Sequence, residues 1–224
     1  MNWNRDKYKW CRPISNLEDK IRMGDAVAEY AKNGQTIGVG TGSSSYVGLT
    51  RLALRGLDIT VIPAASEIRL ACAALGIPTA TLEESRPDWC FDGADEVAAN
   101  GDVIKGRGGG LLGEKLIIAS SPRRILLADS TKLVERAGER FPVPVELLPE
   151  ALELVRENIA RLGATEIELR MAVNKDGAII TERGNVLLDC RFGRIYPGLE
   201  RDIKALPGVV ESGLFQDYGF EVIS

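Results

Sequence analysis

Short apolar segments alternate with helical segments over the first 130 residues or so, and this alternation most limits what the chain can fold into. Strands are predicted at residues 36–39, 59–62, 78–81, 89–91, 103–105 and 124–128, and helices at residues 46–54, 67–75 and 111–120. This succession is typical of a doubly wound, mostly parallel sheet, a Rossmann-like α/β fold. Ligands of such sheets bind at the carboxyl ends of the strands.

The pattern changes at the Phe-Pro-Val-Pro segment, residues 141–144. A strand at 143–147, a helix at 149–162, further strand-like segments that include 178–181, and a second helix at 199–205 predict a smaller α+β, ferredoxin-like domain. The last residues are expected to return to the first sheet as an edge strand. We therefore predict an α/β catalytic domain of residues 1–139 plus 213–224 and a small domain of residues 140–212. Residues 1–15 are predicted to form an arm.

Composition excludes several classes of function. The 224 residues include no histidine, so the chain holds neither a Ser-His or Cys-His catalytic pair nor a histidine-ligated metal. The net charge of −4 argues against a non-specific nucleic-acid surface. No segment reads as a signal peptide or a membrane span. The four cysteines show no close-pair spacing, which fits a reduced, cytoplasmic setting. We expect neither nucleic acid nor membrane as a partner.

Residues 88–115 concentrate the groups that remain for proton transfer. Asp92 and Asp95 flank a Gly-Ala turn after one apolar segment, Lys105 ends the next, and a glycine loop leads to Glu114 in a predicted helix. Carboxylates, one ammonium and backbone N–H groups suit proton transfer on an anionic substrate.

Each of these groups also has a purely structural interpretation. Asp-Gly is ordinary turn chemistry, a strand-terminal lysine is often solvated, and a glutamate in the first turn of a helix is favourable there. Against this, glycines at 106 and 108–110 are entropically costly, and Gly113 costs ~1 kcal/mol relative to alanine in a helix interior. These glycines therefore favour a functional role for residues 88–115 over a purely structural one.

The Gly-Thr-Gly-Ser-Ser-Ser loop at residues 40–45 opens a predicted helix. Its backbone N–H groups and hydroxyls suit one phosphate, although a tight turn that needs glycine for geometry is the structural alternative. A dinucleotide fingerprint would require glycine at Ser45 and an acid at the end of the second strand, whereas Asp58 precedes that strand. A nucleotide-dependent dehydrogenase is therefore the weakest interpretation.

Taken together, these motifs resemble the ribose-5-phosphate isomerase type A family. The matching segments are Gly-Val-Gly-Thr-Gly-Ser (38–43), Asp-Gly-Ala-Asp-Glu (92–96), Ile-Lys-Gly (104–106), Glu-Lys (114–115), Ala-Asp-Ser-Thr-Lys (128–132), Phe-Pro-Val-Pro-Val-Glu (141–146) and Gly-Asn-Val (184–186). The resemblance extends from about residue 20 to the C-terminus.

The resemblance implies a cofactor-free and metal-free interconversion of D-ribose 5-phosphate and D-ribulose 5-phosphate through an enediolate, a step of the non-oxidative pentose phosphate pathway, by a homodimer or homotetramer. Glu114 matches the general base, Asp92 the residue that handles hydroxyl protons, with Asp95 beside it, and Lys105 the ammonium near the oxyanion. The implied substrate-binding residues are Thr41, Gly42, Ser43, Ser44, Gly93, Ala94, Gly106, Arg107, Gly108, Lys132 and Lys20.

The sequence departs from the family pattern close to these residues. Arg107 stands where glycine is usual, Gly113 replaces a larger and often basic residue, and Ser44-Ser45 replaces Thr-Ala. These departures bear on substrate preference, so an isomerase of another sugar phosphate is one alternative. A non-catalytic phosphosugar-binding protein is another, although binding alone would not require Glu114.

Overall fold

The computed structural model describes residues 8–224, and the chain divides into two compact units. The first unit contains residues up to 93, 113–131 and 219–224, and the second contains 94–112 and 132–218. Residues 1–7, the first half of the predicted arm, lie outside the described residues. The division differs from the predicted one in that segments 94–112, 132–139 and 213–218 group with the second unit.

The elements follow in this order along the chain. The strands are β1 (Thr36–Val39), β2 (Thr60–Pro63), β3 (Trp89–Gly93), β4 (Glu96–Ala98), β5 (Val103–Ile104), β6 (Arg124–Leu127), β7 (Leu133–Val134), β8 (Val143–Leu147), β9 (Ala164–Leu169), β10 (Val186–Phe192), β11 (Val209–Ser212), β12 (Leu214–Phe215) and β13 (Glu221–Ile223). The helices are α1 (Leu17–Ala28), α2 (Gly42–Leu54), α3 (Ser66–Leu75), α4 (Leu111–Ser120), α5 (Leu152–Arg161) and α6 (Leu199–Lys204).

The first unit is built on a five-stranded sheet with the order β2-β1-β3-β6-β13, in which every pair is parallel. This confirms the predicted parallel sheet, and β13 is the edge strand expected from the last residues. The chain moves from β1 outward to β2, and later from β3 outward to β6. The strand order therefore reverses between β1 and β3, where sheets of this kind bind ligands.

Helices cover both faces of this sheet. A Cβ built on Gly48 of α2 would lie 2.7 Å from the Phe91 ring, and one built on Gly38 of β1 would lie 2.4 Å from Ile117 of α4 and 2.9 Å from the Cβ of Cys90. Phe91 and Cys90 are neighbours in β3, so their side chains point to opposite faces. Helices α2 and α4 therefore pack on opposite sides of the sheet, as the doubly wound prediction requires.

The second unit contains two smaller sheets. One is antiparallel with the order β11-β8-β10-β9, and with α5 and α6 it forms the βαββαβ succession of a ferredoxin-like fold. The other has the order β12-β5-β4-β7. Strand β5 pairs with both β4 and β12, so segments 94–112 and 213–218 share one sheet and belong to the second unit.

Several predicted elements differ from the structure, and the short strands β4, β7 and β12 were not predicted. Residues 78–81 and 178–181 form no strand, only the isolated bridges Val61–Thr79 and Met171–Ala178. The helix predicted at 46–54 begins at Gly42, inside the small-residue loop. Serine and glycine have modest helix propensity, so sequence alone places this start too late.

The cysteines are free thiols. Cys72, Cys90 and Cys190 are buried and Cys11 is exposed. Burial raises the pKa of Cys72 and of Cys190 to about 12, so neither is a ready nucleophile. Among residues 8–224, no helix combines the length and the apolar character that crossing a membrane requires.

Candidate active site

Asp92 lies near the carboxyl end of β3, where three donors surround one of its oxygens. Oδ1 accepts hydrogen bonds from the Thr41 N–H (3.0 Å), the Ser45 hydroxyl (2.8 Å) and the Gly93 N–H (2.7 Å). The residue is 2% exposed. Asp92 is therefore a buried carboxylate held in one orientation, not a solvated turn residue.

Gly40, just before α2, and Gly42, the first residue of α2, are glycines for different structural reasons. A Cβ on Gly40 would lie 1.7 Å from the carboxyl carbon of Asp92, so the backbone approaches the carboxylate more closely than any side chain would allow. Gly42 has φ +80°, a conformation that favours glycine. The tight-turn interpretation of this loop is thus correct for Gly42, whereas Gly40 allows contact with the predicted acid.

Glu114 lies in the first turn of α4 and is 3% exposed. Its Oε1 accepts a hydrogen bond from the Thr41 hydroxyl, and the backbone N–H of the same threonine donates to Asp92. One residue therefore contacts both predicted acids. Burial and this contact distinguish Glu114 from a solvated first-turn glutamate.

The first backbone N–H groups of α2 receive no capping hydrogen bond from the Thr41 side chain. Thr41 is the N-cap residue, but its side chain makes no capping hydrogen bond because the hydroxyl is directed to Glu114. The first N–H groups of a helix lack intrahelical acceptors, and together with the helix dipole they attract an anion. Gly42, Ser43 and Ser44, for which the sequence predicts phosphate binding, are the residues of this first turn.

Lys20 and Asp129 also belong to the first unit, where Asp129 follows β6. Burial tends to raise the pKa of Asp129, but hydrogen bonds from the Thr131 hydroxyl and N–H and from the Asn16 amide, together with the charge of Lys20, hold that pKa below its ordinary value. Lys20 is 4% exposed and donates to the Ser15 carbonyl at 2.5 Å. The proposed phosphate partner is therefore a buried ammonium near a carboxylate.

In the second unit, Asp95 and Lys105 are held by their backbones. The Asp95 N–H donates to the Ile104 carbonyl (2.9 Å) and the Lys105 N–H to the Gly213 carbonyl (2.9 Å). Asp95 Oδ2 accepts the N–H of Arg107 at 3.0 Å. Lys105 is 2% exposed, so it is not a solvated lysine at the end of a strand. Of the residues that follow it, Gly106 has φ +100° and so requires glycine.

Lys132 and Arg107 share an aromatic neighbour. The Lys132 ammonium lies 5.4 Å from the centre of the Phe141 ring, and the Arg107 guanidinium carbon lies 6.0 Å from it. Glu96 is fully buried and accepts the backbone N–H groups of residues 138, 140 and 141. Glu96 therefore does not face water, and it anchors the segment that carries Phe141.

Gly113 has a packing reason. A Cβ at this position would lie 2.0 Å from the backbone carbonyl oxygen of Ala64, a contact that only a shift of α4 or of that backbone would relieve. The close approach of α4 to the backbone of residue 64 therefore explains why glycine stands at position 113, where the family has a larger residue.

We expect Gly113→Ala to lower the free energy of unfolding by about 1–3 kcal/mol through overpacking, although the same change in an open helix stabilises by about 1 kcal/mol. Since Glu114 is the next residue, its displacement should also reduce kcat roughly tenfold. Urea unfolding and steady-state kinetics measure both effects. Ala119→Gly in the exposed part of the same helix is the matched control for helix propensity. A Gly113→Ala chain more stable than the wild type would contradict this account.

The sequence prediction omitted Ser45 and Arg170. Ser45 donates to Asp92, and its place as the last residue of the predicted phosphate loop was the available signal. Arg170 donates to carbonyls of the loop after Lys105, and no local pattern marks it. Among the described residues, no group of three or more histidine, cysteine or acidic side chains is arranged to hold a metal ion.

Comparison with known proteins places the chain among relatives over nearly its whole length. The family model described as ribose 5-phosphate isomerase A (phosphoriboisomerase A) matches residues 60–224. Ribose-5-phosphate isomerase A of Natronomonas pharaonis is 42% identical over 209 residues, which cover 91% of both chains. The protein of the same name from Thermococcus kodakarensis is 37% identical and covers 90% of this chain and 92% of its own.

Solved structures agree. Ribose 5-phosphate isomerase A from Methanocaldococcus jannaschii superposes with a TM-score of 0.90 at 34% identity and covers 94% of this chain and 96% of its own. A D-ribose-5-phosphate isomerase solved in complex with phospho-erythronic acid has a TM-score of 0.88 at 35% identity, with 93% and 95% covered. With the parallel sheet, the antiparallel second unit and Asp92 and Glu114 both in contact with Thr41, these matches show that the chain belongs to the ribose 5-phosphate isomerase A family.

Proposed function

We propose that this chain interconverts D-ribose 5-phosphate and D-ribulose 5-phosphate by moving a proton between C1 and C2 of the open-chain sugar. The observation that carries the proposal is the contact of Thr41 with two buried carboxylates, Asp92 and Glu114, at the point where the strand order of the sheet reverses. Binding a sugar phosphate would not require two buried acids in such fixed positions, whereas proton transfer does.

The reaction assigns a separate task to each acid. Glu114 takes the C2 proton of the aldose, which leaves an enediolate, and returns a proton to C1 to give the ketose. Asp92 moves the hydroxyl proton that must pass between O2 and O1, with Asp95 beside it. Lys105 stabilises the negative charge that develops on oxygen, and electrostatic help of this kind is often the largest catalytic contribution. Atoms and electrons balance without a redox partner.

Phosphate binding is proposed at the N-terminal turn of α2. Thr41, Gly42, Ser43 and Ser44 supply N–H groups and hydroxyls there, and Lys20 supplies a charge. Binding of the rest of the sugar is assigned to Gly93 and Ala94, to the loop of Gly106, Arg107 and Gly108, and to Lys132. The related isomerase solved with phospho-erythronic acid supports a small phosphorylated substrate.

An assay of ribose 5-phosphate conversion tests this function. Turnover of ribose 5-phosphate well above that of other pentose and tetrose phosphates is the expected result. Comparable or higher turnover of another sugar phosphate would favour the alternative isomerase. Binding of ribose 5-phosphate without conversion would favour the non-catalytic alternative and contradict the proposal.

Catalysis is proposed to need neither a cofactor nor a metal, since carboxylates perform the proton transfers and an ammonium stabilises the oxyanion. We therefore expect kcat and KM to be unchanged after incubation with a chelator and removal of divalent ions by gel filtration. Loss of activity, with recovery on addition of a divalent cation, would contradict this mechanism.

We infer a homodimer or homotetramer in the cytoplasm, with no nucleic-acid or membrane partner, and an α/β domain that carries the chemistry. Light scattering of the purified chain measures the oligomeric state, and a monomer at micromolar concentration would contradict it.

A further inference from the structure

Arg170 directly follows β9 in the second unit, and its guanidinium reaches the loop of Gly106, Arg107 and Gly108. Nη1 donates to the carbonyl oxygen of Gly106 at 2.8 Å and to that of Arg107 at 3.0 Å. Neither loop residue belongs to a helix or a strand. One charged group therefore holds two successive carbonyl groups of a predicted substrate-binding loop.

Asp189 of β10 holds the other side of the guanidinium. Arg170 Nε donates to Asp189 Oδ2 at 2.8 Å, and Nη2 donates to Oδ1. Leu169 lies opposite Leu188 in the antiparallel pair, so Arg170 and Asp189 are diagonal neighbours on one face. The side chains are only 16% and 22% exposed, so water screens this two-bond contact weakly.

The backbone of Arg170 is also fixed. Its N–H donates to the Leu187 carbonyl at 2.9 Å, and its own carbonyl accepts the N–H of Ile179 at 3.0 Å. The guanidinium therefore projects from a strand pair whose backbone and carboxylate partner are both hydrogen-bonded. Such a support is rigid enough to define where a loop lies.

Because peptide bonds are planar and trans, the contacts of the two carbonyl groups also determine where the backbone N–H groups of the loop point. In a trans peptide the N–H of one residue points opposite to the carbonyl of the residue before it. Because the Gly106 carbonyl points to Arg170, the Arg107 N–H points away from it, and that N–H reaches Asp95 Oδ2 at 3.0 Å. Because the Arg107 carbonyl also points to Arg170, the N–H of Gly108 likewise points away from the guanidinium.

We propose that Arg170, held by Asp189, is a positioning residue for substrate binding. It orients the Gly108 N–H toward the substrate and, through the Arg107 N–H, the carboxylate of Asp95. This inference rests on the proposed function, since it assumes that the loop binds the sugar phosphate. Lysine would replace Arg170 only in part, because an ammonium lacks the planar fork that serves one carboxylate and two carbonyl groups at once.

The kinetic test uses Arg170→Met and Arg170→Lys in the full chain. We expect Arg170→Met to raise KM for ribose 5-phosphate at least ~10-fold with kcat within about fivefold of wild type, because Glu114 and Asp92 are held by separate hydrogen bonds. Arg170→Lys should give a smaller rise in KM. The matched control is Arg191→Met, which removes another arginine–carboxylate pair between β9 and β10, Arg191 with Glu166 at 3.5 Å.

A second readout does not depend on activity. Arg107 is exposed, so trypsin reaches the Arg107–Gly108 bond once the loop is released. We expect cleavage there to be at least ~10-fold faster in Arg170→Met than in wild type or in Arg191→Met, since local opening governs proteolysis of a folded chain. Mass spectrometry of the fragments identifies the bond.

The outcomes separate the two proposals. KM and cleavage unchanged in both Arg170 variants would overturn the positioning role while leaving the isomerase function intact. A wild-type chain that does not convert ribose 5-phosphate would overturn the proposed function, and the cleavage rates would then decide only whether Arg170 holds the loop. If Arg170→Met does not fold, Arg170→Lys and Asp189→Asn decide, and a KM equal to that of Arg191→Met in both would overturn the positioning role.

Discussion

Glu114→Gln is expected to lower kcat for ribose 5-phosphate at least ~100-fold, because an amide cannot take the C2 proton and return it to C1. Glutamine keeps the size of the side chain and an oxygen that accepts the Thr41 hydroxyl. KM should therefore stay within a few-fold of wild type, with the loss confined to the chemical step. Steady-state kinetics and a binding titration with the substrate measure the two quantities separately.

Two controls accompany this change. Glu153→Gln alters a glutamate in the first turn of α5 that is exposed, so it reports any general effect of losing a first-turn acid. Its kcat should equal that of wild type. Thr41→Val removes the hydroxyl that contacts Glu114 but keeps the backbone N–H for Asp92, and a loss of roughly tenfold in kcat is expected. A Glu114→Gln chain with wild-type kcat would exclude Glu114 as the base.

Asp92→Asn is expected to produce the second-largest effect, a loss of about 100-fold in kcat with little change in stability. The amide oxygen of asparagine still accepts from the Thr41 N–H, the Ser45 hydroxyl and the Gly93 N–H, so the side chain keeps its position. What is lost is the ability to accept and release a hydroxyl proton. Kinetics with ribose 5-phosphate and a thermal melt of the same sample test both statements.

Ser45→Ala is the matched control, because it removes one of the three hydrogen bonds to Asp92 and leaves the carboxylate. A loss of about tenfold or less in kcat is expected. If Ser45→Ala and Asp92→Asn had equal effects, Asp92 would act only through its position. An Asp92→Asn chain as active as wild type would remove Asp92 from the mechanism.

The parallel sheet was predictable because its signals are local. Strand β1 is a short, largely apolar segment bounded by turn residues, and β8 and α4 were predicted with their observed bounds. Strands β4 and β12 have only three and two residues, too few to produce a periodic pattern. The predicted domain boundary therefore missed the sheet that these strands form.

The glycines show the same limit. The sequence shows that glycine is unfavourable at these positions, but it does not show why glycine is needed there. Only the folded chain shows that Gly40 admits the Asp92 carboxylate and that Gly113 lies against the Ala64 carbonyl. The roles of Glu114, Asp92, Asp95 and Lys105, and of the substrate-binding residues, stay predictions from the resemblance.

By itself the sequence determined the class of fold, the absence of histidine chemistry and a concentration of carboxylates within residues 88–115, since apolar periodicity and residue type are properties of neighbours along the chain. Tertiary structure decided which groups meet. Thr41 contacts Glu114 across 73 positions, and Arg170 contacts Gly106 across 64. Contacts at such separations depend on how strands and helices pack, and no local pattern records them.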